Sequence, residues 1–198
     1  MREAMPQPVP LPPSRFADPG TFVDELFAWL TDRGATNYDP GVTQIEHALQ
    51  SAALADTHGS ADLTIAALLH DIGHLLVREH AQQPDFLCTN RRHESVGADW
   101  LQTVFPSSVS EPVRWHVDAK RYLCAVDRNY WDGLSGASKR SLEIQGGPMS
   151  VEEVRHFEAA PWAGDAVKLR QIDDKAKVPG WPTPPLASWK SQILSLVR

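Results

Sequence analysis

The sequence has few cysteines, no block of basic residues and no long apolar run. Its two cysteines, Cys88 and Cys124, lie far apart and outside any CxxC pair, so we expect reduced, buried thiols. The 19 basic and 25 acidic residues give a net charge of −6, which argues against a nucleic-acid-binding surface. No stretch approaches the roughly 20 apolar residues of a membrane helix, and the N-terminus lacks the apolar segment of a signal peptide. We therefore expect a soluble, cytoplasmic protein.

Sustained alternation of apolar and polar residues is also missing, which argues against a β-sheet. Apolar residues recur with helical spacing instead, first in TFVDELFAWLTDRG. The 198 residues suit one domain, and we expect an all-α helical bundle over residues 21–198 after a Pro-rich arm over residues 1–20. Loops are predicted over residues 79–91 and 118–134, and further helices over residues 42–58, 61–77, 92–105, 111–117, 135–145, 150–159, 161–175 and 186–197.

The stretch LLHDIGHLL contains the pair His70-Asp71 and, one helical turn beyond His70, a further histidine, His74. The dipeptide alone is weak evidence, because it arises by chance in many chains. Its surroundings are apolar nearly all round, which predicts a buried helix in which an unpaired polar group would be costly. We therefore expect either a hydrogen-bonded cluster in the core or a metal site.

Three further histidines and one aspartate strengthen the metal hypothesis. His47 lies on a predicted amphipathic helix, His93 at a helix start and His116 at a helix end, while Asp173 shares a helical face with Arg170. Each histidine alone is more typical of a cap or a surface position. Together with the His-Asp pair they form the ordered pattern H…HD…H…H…D, which supplies ligands for two metal ions if the first carboxylate bridges them. Such nitrogen and oxygen ligands favour iron, manganese or zinc over magnesium or calcium.

Three longer motifs accompany this pattern: AKRYL, LSGASKRSLEIQGGPMS and RQIDDKAKVPG. Together with the ordered histidines they resemble the PhnZ-type organophosphonate oxygenases, which are dinuclear members of the all-helical HD-domain superfamily. The resemblance spans about residues 38–180 and leaves the N-terminal arm outside. It implies a single HD-domain helical bundle.

The resemblance also implies a mixed-valent Fe(II)/Fe(III) pair that uses O2 as co-substrate. The organophosphonate substrate would lose its carbon-phosphorus bond and yield a carboxylic acid and phosphate. The implied ligands are His47, His70, Asp71 and Asp173 for one iron, and His93 and His116 for the other, with Asp71 bridging.

Four positions match the family's contacts to the phosphonate group: His74, Lys120, Ser138 and Arg170. Their N–H and O–H donors and positive charges suit an anion. The resemblance makes Tyr38 a lid residue and, with His74 and Lys120, a candidate catalytic residue. From the residues alone, Lys120 and Arg170 equally suit solvated surface charges, and Ser138 suits a helix cap.

The segment NYDPGVTQIEH departs from the family pattern. Tyr38 matches the lid, but it lies one residue closer to His47 than expected, and the lid glutamate that faces the substrate's ammonium is missing. Asp39 is the nearby carboxylate. A trimethylammonium group has no N–H donors and prefers room, diffuse negative charge and an aromatic face. We therefore expect the substrate to be (R)-1-hydroxy-2-(trimethylammonio)ethylphosphonate, which would yield glycine betaine and phosphate.

Three alternatives remain at this point. The first is the primary amine, (R)-2-amino-1-hydroxyethylphosphonate, which would give glycine and phosphate. The second is a metal-dependent phosphohydrolase, against which the segment over residues 120–148 argues because it resembles the oxygenases. The third is an HD module that only binds a ligand or partner, and the complete ligand set argues against it.

Overall fold

A computed structural model describes residues 18–77 and 92–198 of the chain. Residues 1–17 of the predicted arm, the predicted loop over residues 79–91, and Cys88 lie outside these ranges. The described part confirms the all-α prediction. In chain order its helices are α1 Pro19–Arg33, α2 Gln44–Asp56, α3 Ala61–Leu69, α4 Ile72–Leu76, α5 His93–Gln102, α6 Ser107–Val126, α7 Arg128–Gly133, α8 Gly136–Ile144, α9 Val151–Glu158, α10 Ala163–Lys175, a 3₁₀ turn at Leu186–Trp189, and α11 Lys190–Leu196.

A short β-hairpin precedes α2 and corrects the expectation that the chain has no strand. Strand β1, Asn37–Asp39, pairs antiparallel with β2, Val42–Thr43. Pro40 and Gly41 connect the strands, and Gly41 has a φ of +81°, as the third position of a type II turn requires. The strands are too short to show the alternation by which a sheet is recognised in a sequence.

The predicted loop over residues 118–134 is wrong. Helix α6 runs without interruption from Ser107 to Val126, and α7 follows it. The buried residues Val109, Val113 and Val117 form one stripe along the helix, and Leu123 continues it. Pro112 lies inside the helix rather than at its start, so burial of this stripe outweighs the hydrogen bond that a proline removes.

The single helix predicted over residues 61–77 is divided into α3 and α4. Leu69 ends α3, and Asp71, with φ of −98° and ψ of 11°, precedes α4. The break falls within the His70-Asp71 pair. It therefore changes the direction of the backbone where the two candidate ligands are attached.

Side-chain caps fix several helix starts. Ser150 and Glu153 form the predicted capping box of α9. Thr43 and Glu46 form a second capping box at the start of α2, which ties the end of the hairpin to that helix. The hairpin is thereby held next to the helix that carries His47.

The main core lies between α1, α2, α3, α5, α6, α10 and α11, and a smaller cluster joins α6, α9 and α10. Among all described residues, the largest fully buried apolar side chains are Phe22, Phe105, Phe157, Leu26, Ile65, Leu68, Leu69, Leu101, Leu142, Leu169 and Ile193. Across residues 18–77 and 92–198, no helix combines the length and apolarity that crossing a membrane requires.

Candidate metal centre

The fold brings the six predicted metal ligands to one place. They come from helices distant in sequence: α2, the α3–α4 break, the first residue of α5, the middle of α6 and the last part of α10. Five of the six are buried and Asp71 is nearly so. Two groups have donor atoms close enough to hold a metal ion: His47, His70 and Asp71, and separately Asp71, His93 and His116.

Asp71 lies between the two groups and presents one carboxylate oxygen to each. Its Oδ2 lies 3.5 Å from Nε2 of His47 and 3.3 Å from Nε2 of His70. Its Oδ1 lies 3.8 Å from Nε2 of His93 and 3.9 Å from Nε2 of His116. This is the arrangement of a carboxylate that bridges two metal ions.

Asp173 joins the first group from α10. Its Oδ1 lies 3.3 Å from Nε2 of His47 and 3.9 Å from Nε2 of His70. The first group therefore has two imidazoles and two carboxylates. The second group has two imidazoles, whose Nε2 atoms lie 3.4 Å apart, and shares Asp71 with the first.

Hydrogen bonds to the backbone orient three of the imidazoles. Nδ1 of His47 lies 2.7 Å from the carbonyl oxygen of Ala176, Nδ1 of His70 lies 2.8 Å from that of Ala67, and Nδ1 of His116 lies 2.6 Å from that of Val113. A carbonyl oxygen only accepts, so each Nδ1 carries a proton, and in the neutral imidazole each Nε2 has its lone pair directed at the centre.

Two glycines allow α5, which carries His93, to approach α4 closely, and this brings the second group of ligands near the first. A Cβ atom on Gly73 would lie 1.9 Å from the carbonyl oxygen of His93, and one on Gly97 would lie 3.1 Å from the backbone nitrogen of Gly73. Helices α4 and α5 therefore touch backbone to backbone. This contact sets the distance between His93 and Asp71, and it gives the glycine in HDIGH a physical role.

The electrostatics suit metal ligands. Burial disfavours the charged form of Asp71, but the neighbouring His70 outweighs it and the pKa of Asp71 stays well below its usual range. Burial, assisted by His70, lowers the pKa of His116 to about 4, and burial with His74 lowers the pKa of His93 well below its usual value. Both imidazoles are therefore neutral near pH 7, which metal binding requires.

His70 differs from these two imidazoles. Burial lowers its pKa, yet the carboxylate of Asp71 outweighs burial and raises the pKa to about 9. A metal ion bound at this position therefore displaces a proton.

The donor set fits a metal pair. Oδ2 of Asp71 is buried and makes no hydrogen bond within the described part of the chain, although a buried carboxylate oxygen normally has a partner. Four imidazoles and two carboxylates converge here, a mixture that suits iron, manganese or zinc.

Tyr38 and His74 flank the two groups. The ring of Tyr38 stacks on His47 with centroids 4.0 Å apart, and its hydroxyl donates to Oδ1 of Asp173 over 3.4 Å. The ring of His74 stacks on His93 at 3.7 Å, and its Nε2 lies 3.9 Å from Oδ1 of Asp71. Both predicted residues therefore touch the candidate ligands.

Lys120 is buried in α6 rather than exposed on the surface. Its Nζ donates to the hydroxyl of Ser141 over 2.9 Å. Burial, with a contribution from Arg170, lowers the pKa of Lys120 to about 7.

Ser138, the serine predicted to contact the phosphonate, lies in the cap of α8. Its hydroxyl accepts a hydrogen bond from Ser135 over 3.1 Å. Ser141 was missed from sequence, and the signal available was its position one helical turn after Ser138.

Arg170 is buried and paired. Its Nη1 lies 2.6 Å from Oδ2 of Asp173, its Nη2 contacts Oδ1 of Asp174, and its Nε donates to the hydroxyl of Tyr130 over 3.1 Å. The alternative that Arg170 is a solvated surface charge is therefore excluded. The partners Asp174 and Tyr130 were not predicted, although Asp174 adjoins Asp173 in the motif RQIDDKAK.

Lys177 was also missed. Its Nζ lies 3.2 Å from Oδ1 of Asp173 and 5.5 Å from the centroid of the Tyr38 ring. His47 is stacked on the same ring.

Asp39, predicted to face the substrate, is half-buried at the end of β1.

Fold and site together define an HD-domain metalloprotein, and comparison with known proteins agrees. The HD-domain family matches residues 45–154, more than half of the chain. The chain therefore belongs to the HD-domain family.

Three relatives narrow this assignment. A hydroxymethylphosphonate dioxygenase from Gimesia maris is 48% identical over 91% of this chain and 90% of its own. A glycine-betaine-forming [1-hydroxy-2-(trimethylamino)ethyl]phosphonate dioxygenase from Leisingera caerulea is 40% identical over 83% and 85%. An uncharacterized protein of Acanthamoeba polyphaga mimivirus is 34% identical over 77% and 70%. The chain thus belongs to the PhnZ-type branch and is an oxygenase, as the sequence predicts.

Proposed function

We propose that this protein is a di-iron dioxygenase that cleaves the carbon-phosphorus bond of a small 1-hydroxyphosphonate, and that its preferred substrate is hydroxymethylphosphonate. The products are then formate and phosphate: the dianionic substrate and O2 together give formate, hydrogen phosphate and a proton. The bridging position of Asp71 between two histidine pairs is the observation on which the proposal mainly depends.

The two groups of closely spaced donor atoms support the following ligands. His47, His70, Asp71 and Asp173 would hold one iron, and Asp71, His93 and His116 would hold the other. A mixed-valent Fe(II)/Fe(III) pair supplies the reduction of O2 and the oxidation of the substrate carbon. The protein's own residues place the anion, exclude water and balance charge.

Lys120 supplies the cation for the phosphonate. The amine of Lys120 is buried and hydrogen-bonded within the described residues to a neutral hydroxyl, that of Ser141. Burial lowers its pKa to about 7, and a phosphonate dianion bound beside it would favour the charged ammonium form. A charged donor in a site from which water is excluded binds an anionic oxygen more strongly than a neutral one does. Ser141 directs the ammonium group, and Ser138 contributes a backbone carbonyl that accepts from Ser141 over 3.0 Å.

Tyr38 and His74 act on opposite sides of the metal pair. Tyr38 covers His47, and its hydroxyl donates a hydrogen bond to Asp173, so it would shield a metal held by these ligands from water until the substrate binds. His74, stacked on His93, offers a ring N–H to the substrate beside the second iron. Both are candidate catalytic residues together with Lys120.

The choice of substrate depends on charge near Tyr38. A substrate ammonium would need a carboxylate or an open aromatic face. The carboxylate of Asp173 is already paired with Arg170 and Lys177, and the ammonium of Lys177 lies beside the Tyr38 ring. A second cation there is repelled, whereas hydroxymethylphosphonate carries none. The similarity to the Gimesia maris dioxygenase supports the same choice.

A second candidate is the substrate expected from sequence, (R)-1-hydroxy-2-(trimethylammonio)ethylphosphonate. It is supported by the half-buried carboxylate of Asp39 at the end of β1 and by the Leisingera caerulea relative. The primary amine is disfavoured further, because its three N–H donors need close acceptors and the lid glutamate of the family is missing.

A competition assay distinguishes these substrates. Iron-loaded enzyme is given equal concentrations of hydroxymethylphosphonate, the trimethylammonio compound and the primary amine in air, and formate, glycine betaine and glycine are quantified. We expect formate in excess by about tenfold or more, equivalent to about 1.4 kcal/mol or more of discrimination. An excess of glycine betaine would transfer the assignment to the second candidate.

The charge argument has its own control. In Lys177→Met the cation beside Tyr38 is lost, so turnover of the trimethylammonio compound should rise relative to that of hydroxymethylphosphonate. Lys175→Met, two residues earlier in the chain, removes an exposed charge that makes no hydrogen bond or ion pair with the site among the described residues, and the product ratio should stay unchanged.

A further inference from the structure

Arg170 has its guanidinium group engaged on two sides. On one side Nη1 pairs with Oδ2 of Asp173 at 2.6 Å. On the other side Nε donates to the hydroxyl of Tyr130 over 3.1 Å and to Oδ2 of Asp174 over 3.2 Å, while Nη2 contacts Oδ1 of Asp174. The guanidinium therefore connects a candidate metal ligand to two groups that the proposed reaction does not use.

The three partners of the Arg170 guanidinium lie on two different helices. Asp173 and Asp174 lie on α10 with Arg170, so their pairs form within one helix. Tyr130 lies on α7, and its hydroxyl also donates to Oδ2 of Asp174 over 2.6 Å. Among the hydrogen bonds described here, those of Tyr130 tie the guanidinium and its carboxylate to another helix.

We infer that Tyr130 and Asp174 form a clamp that fixes Arg170 in the orientation in which it holds Asp173. With Oδ2 of Asp173 bound to Arg170, its Oδ1 is left facing Nε2 of His47 at 3.3 Å. Tyr130 is then a positioning residue for the first iron. This inference rests on the proposed function, since it takes Asp173 as a ligand of that iron.

The clamp also determines which donors remain for the substrate. A guanidinium has five N–H groups, and the contacts above engage at least one on each of its three nitrogens. At most two remain, one on Nη1 and one on Nη2. A fixed guanidinium presents them in one direction, whereas a rotating one would not, so the clamp affects binding of the phosphonate as well as of the metal.

The test is Tyr130→Phe, which removes the hydroxyl and keeps the ring. Asp174 loses a donor and Arg170 loses the contact with α7. We expect the affinity of the apoprotein for Co(II), titrated by its absorption spectrum, to fall by about tenfold to a hundredfold, the range typical of residues that support metal ligands. The KM for hydroxymethylphosphonate in the iron-loaded enzyme should rise while kcat changes less.

The matched control is Tyr122→Phe, which removes a hydroxyl that donates to the exposed Glu158 over 3.0 Å. It should leave Co(II) affinity and KM as in the wild type. Equal effects in both variants, or a change in Tm for Tyr130→Phe without a change in Co(II) affinity, would overturn the clamp and make Tyr130 a purely structural residue.

A double-mutant cycle with Asp174→Asn completes the test. If both residues act through Arg170, the second substitution should add little to the first, because groups in one hydrogen-bond network are not additive. Full additivity would overturn the shared clamp. Failure of the proposed function looks different, since the wild-type apoprotein would then bind no Co(II), or the iron-loaded wild type would release no phosphate from the substrate.

Discussion

Asp71→Ala is expected to abolish dinuclear metal binding and to lower kcat/KM by more than about a hundredfold, the upper range for residues that only support a metal ligand. The reason is that Oδ1 and Oδ2 of Asp71 face different histidine pairs. Without this carboxylate, two cations face each other with no charge between them. Metal analysis of the purified variant measures the loss, and we expect at most one iron per chain.

Two variants serve as controls for Asp71→Ala. His93→Ala removes one ligand from the second group alone, so the first iron should remain. Asp99→Ala removes an exposed carboxylate that pairs with Arg114 at 2.8 Å and should retain both irons and full activity. If Asp71→Ala retained two irons per chain and normal turnover, Asp71 would not be the bridge.

Lys120→Ala is expected to raise the KM for the phosphonate substrate by about tenfold to a hundredfold or more while both irons stay bound. A hydrogen bond to a charged group is worth about 1.5–3 kcal/mol, which corresponds to that range of affinity. Removing a buried ammonium that is hydrogen-bonded to Ser141 alone among the described residues costs the fold little. Steady-state kinetics on the iron-loaded variant gives the result.

Two further variants are compared with Lys120→Ala: Lys168→Ala is a surface control, and Arg170→Ala removes a second buried cation. Lys168 pairs with Asp165 on the surface at 3.0 Å, and its loss should change neither kinetics nor metal content. Arg170→Ala should lower iron content as well as affinity for the substrate, because it removes one of the two cationic partners of the buried carboxylate of Asp173. An unchanged KM in Lys120→Ala would place the anion elsewhere in the site.

The candidate metal ligands could be named from the sequence because the prediction depends on order and residue type. An apolar helix that contains His70 and Asp71 has few ways to bury them, and the later histidines complete a familiar donor set. The structure brings these residues together. The bridging geometry, in contrast, depends on the break between α3 and α4 and on the contact between Gly73 and the backbone of His93, which no local pattern reveals.

The substrate side was harder to predict. Tyr130, Ser141 and Lys177 reach the site through contacts between distant elements, and each is a common residue in an ordinary polar segment. The end of α6 was missed because its polar residues hide the apolar stripe that Leu123 continues. The sequence therefore predicts a loop at Lys120, whereas the structure buries this residue in α6. Its contact with the substrate, which the family resemblance implies, stays a prediction.

The central claim is tested most directly by following O2 consumption and phosphate release together in the purified, iron-loaded enzyme with hydroxymethylphosphonate. We predict equal amounts of O2 consumed, formate formed and phosphate released, and no phosphate in the absence of O2. Phosphate released at the same rate without O2 would contradict the assignment and indicate a hydrolase.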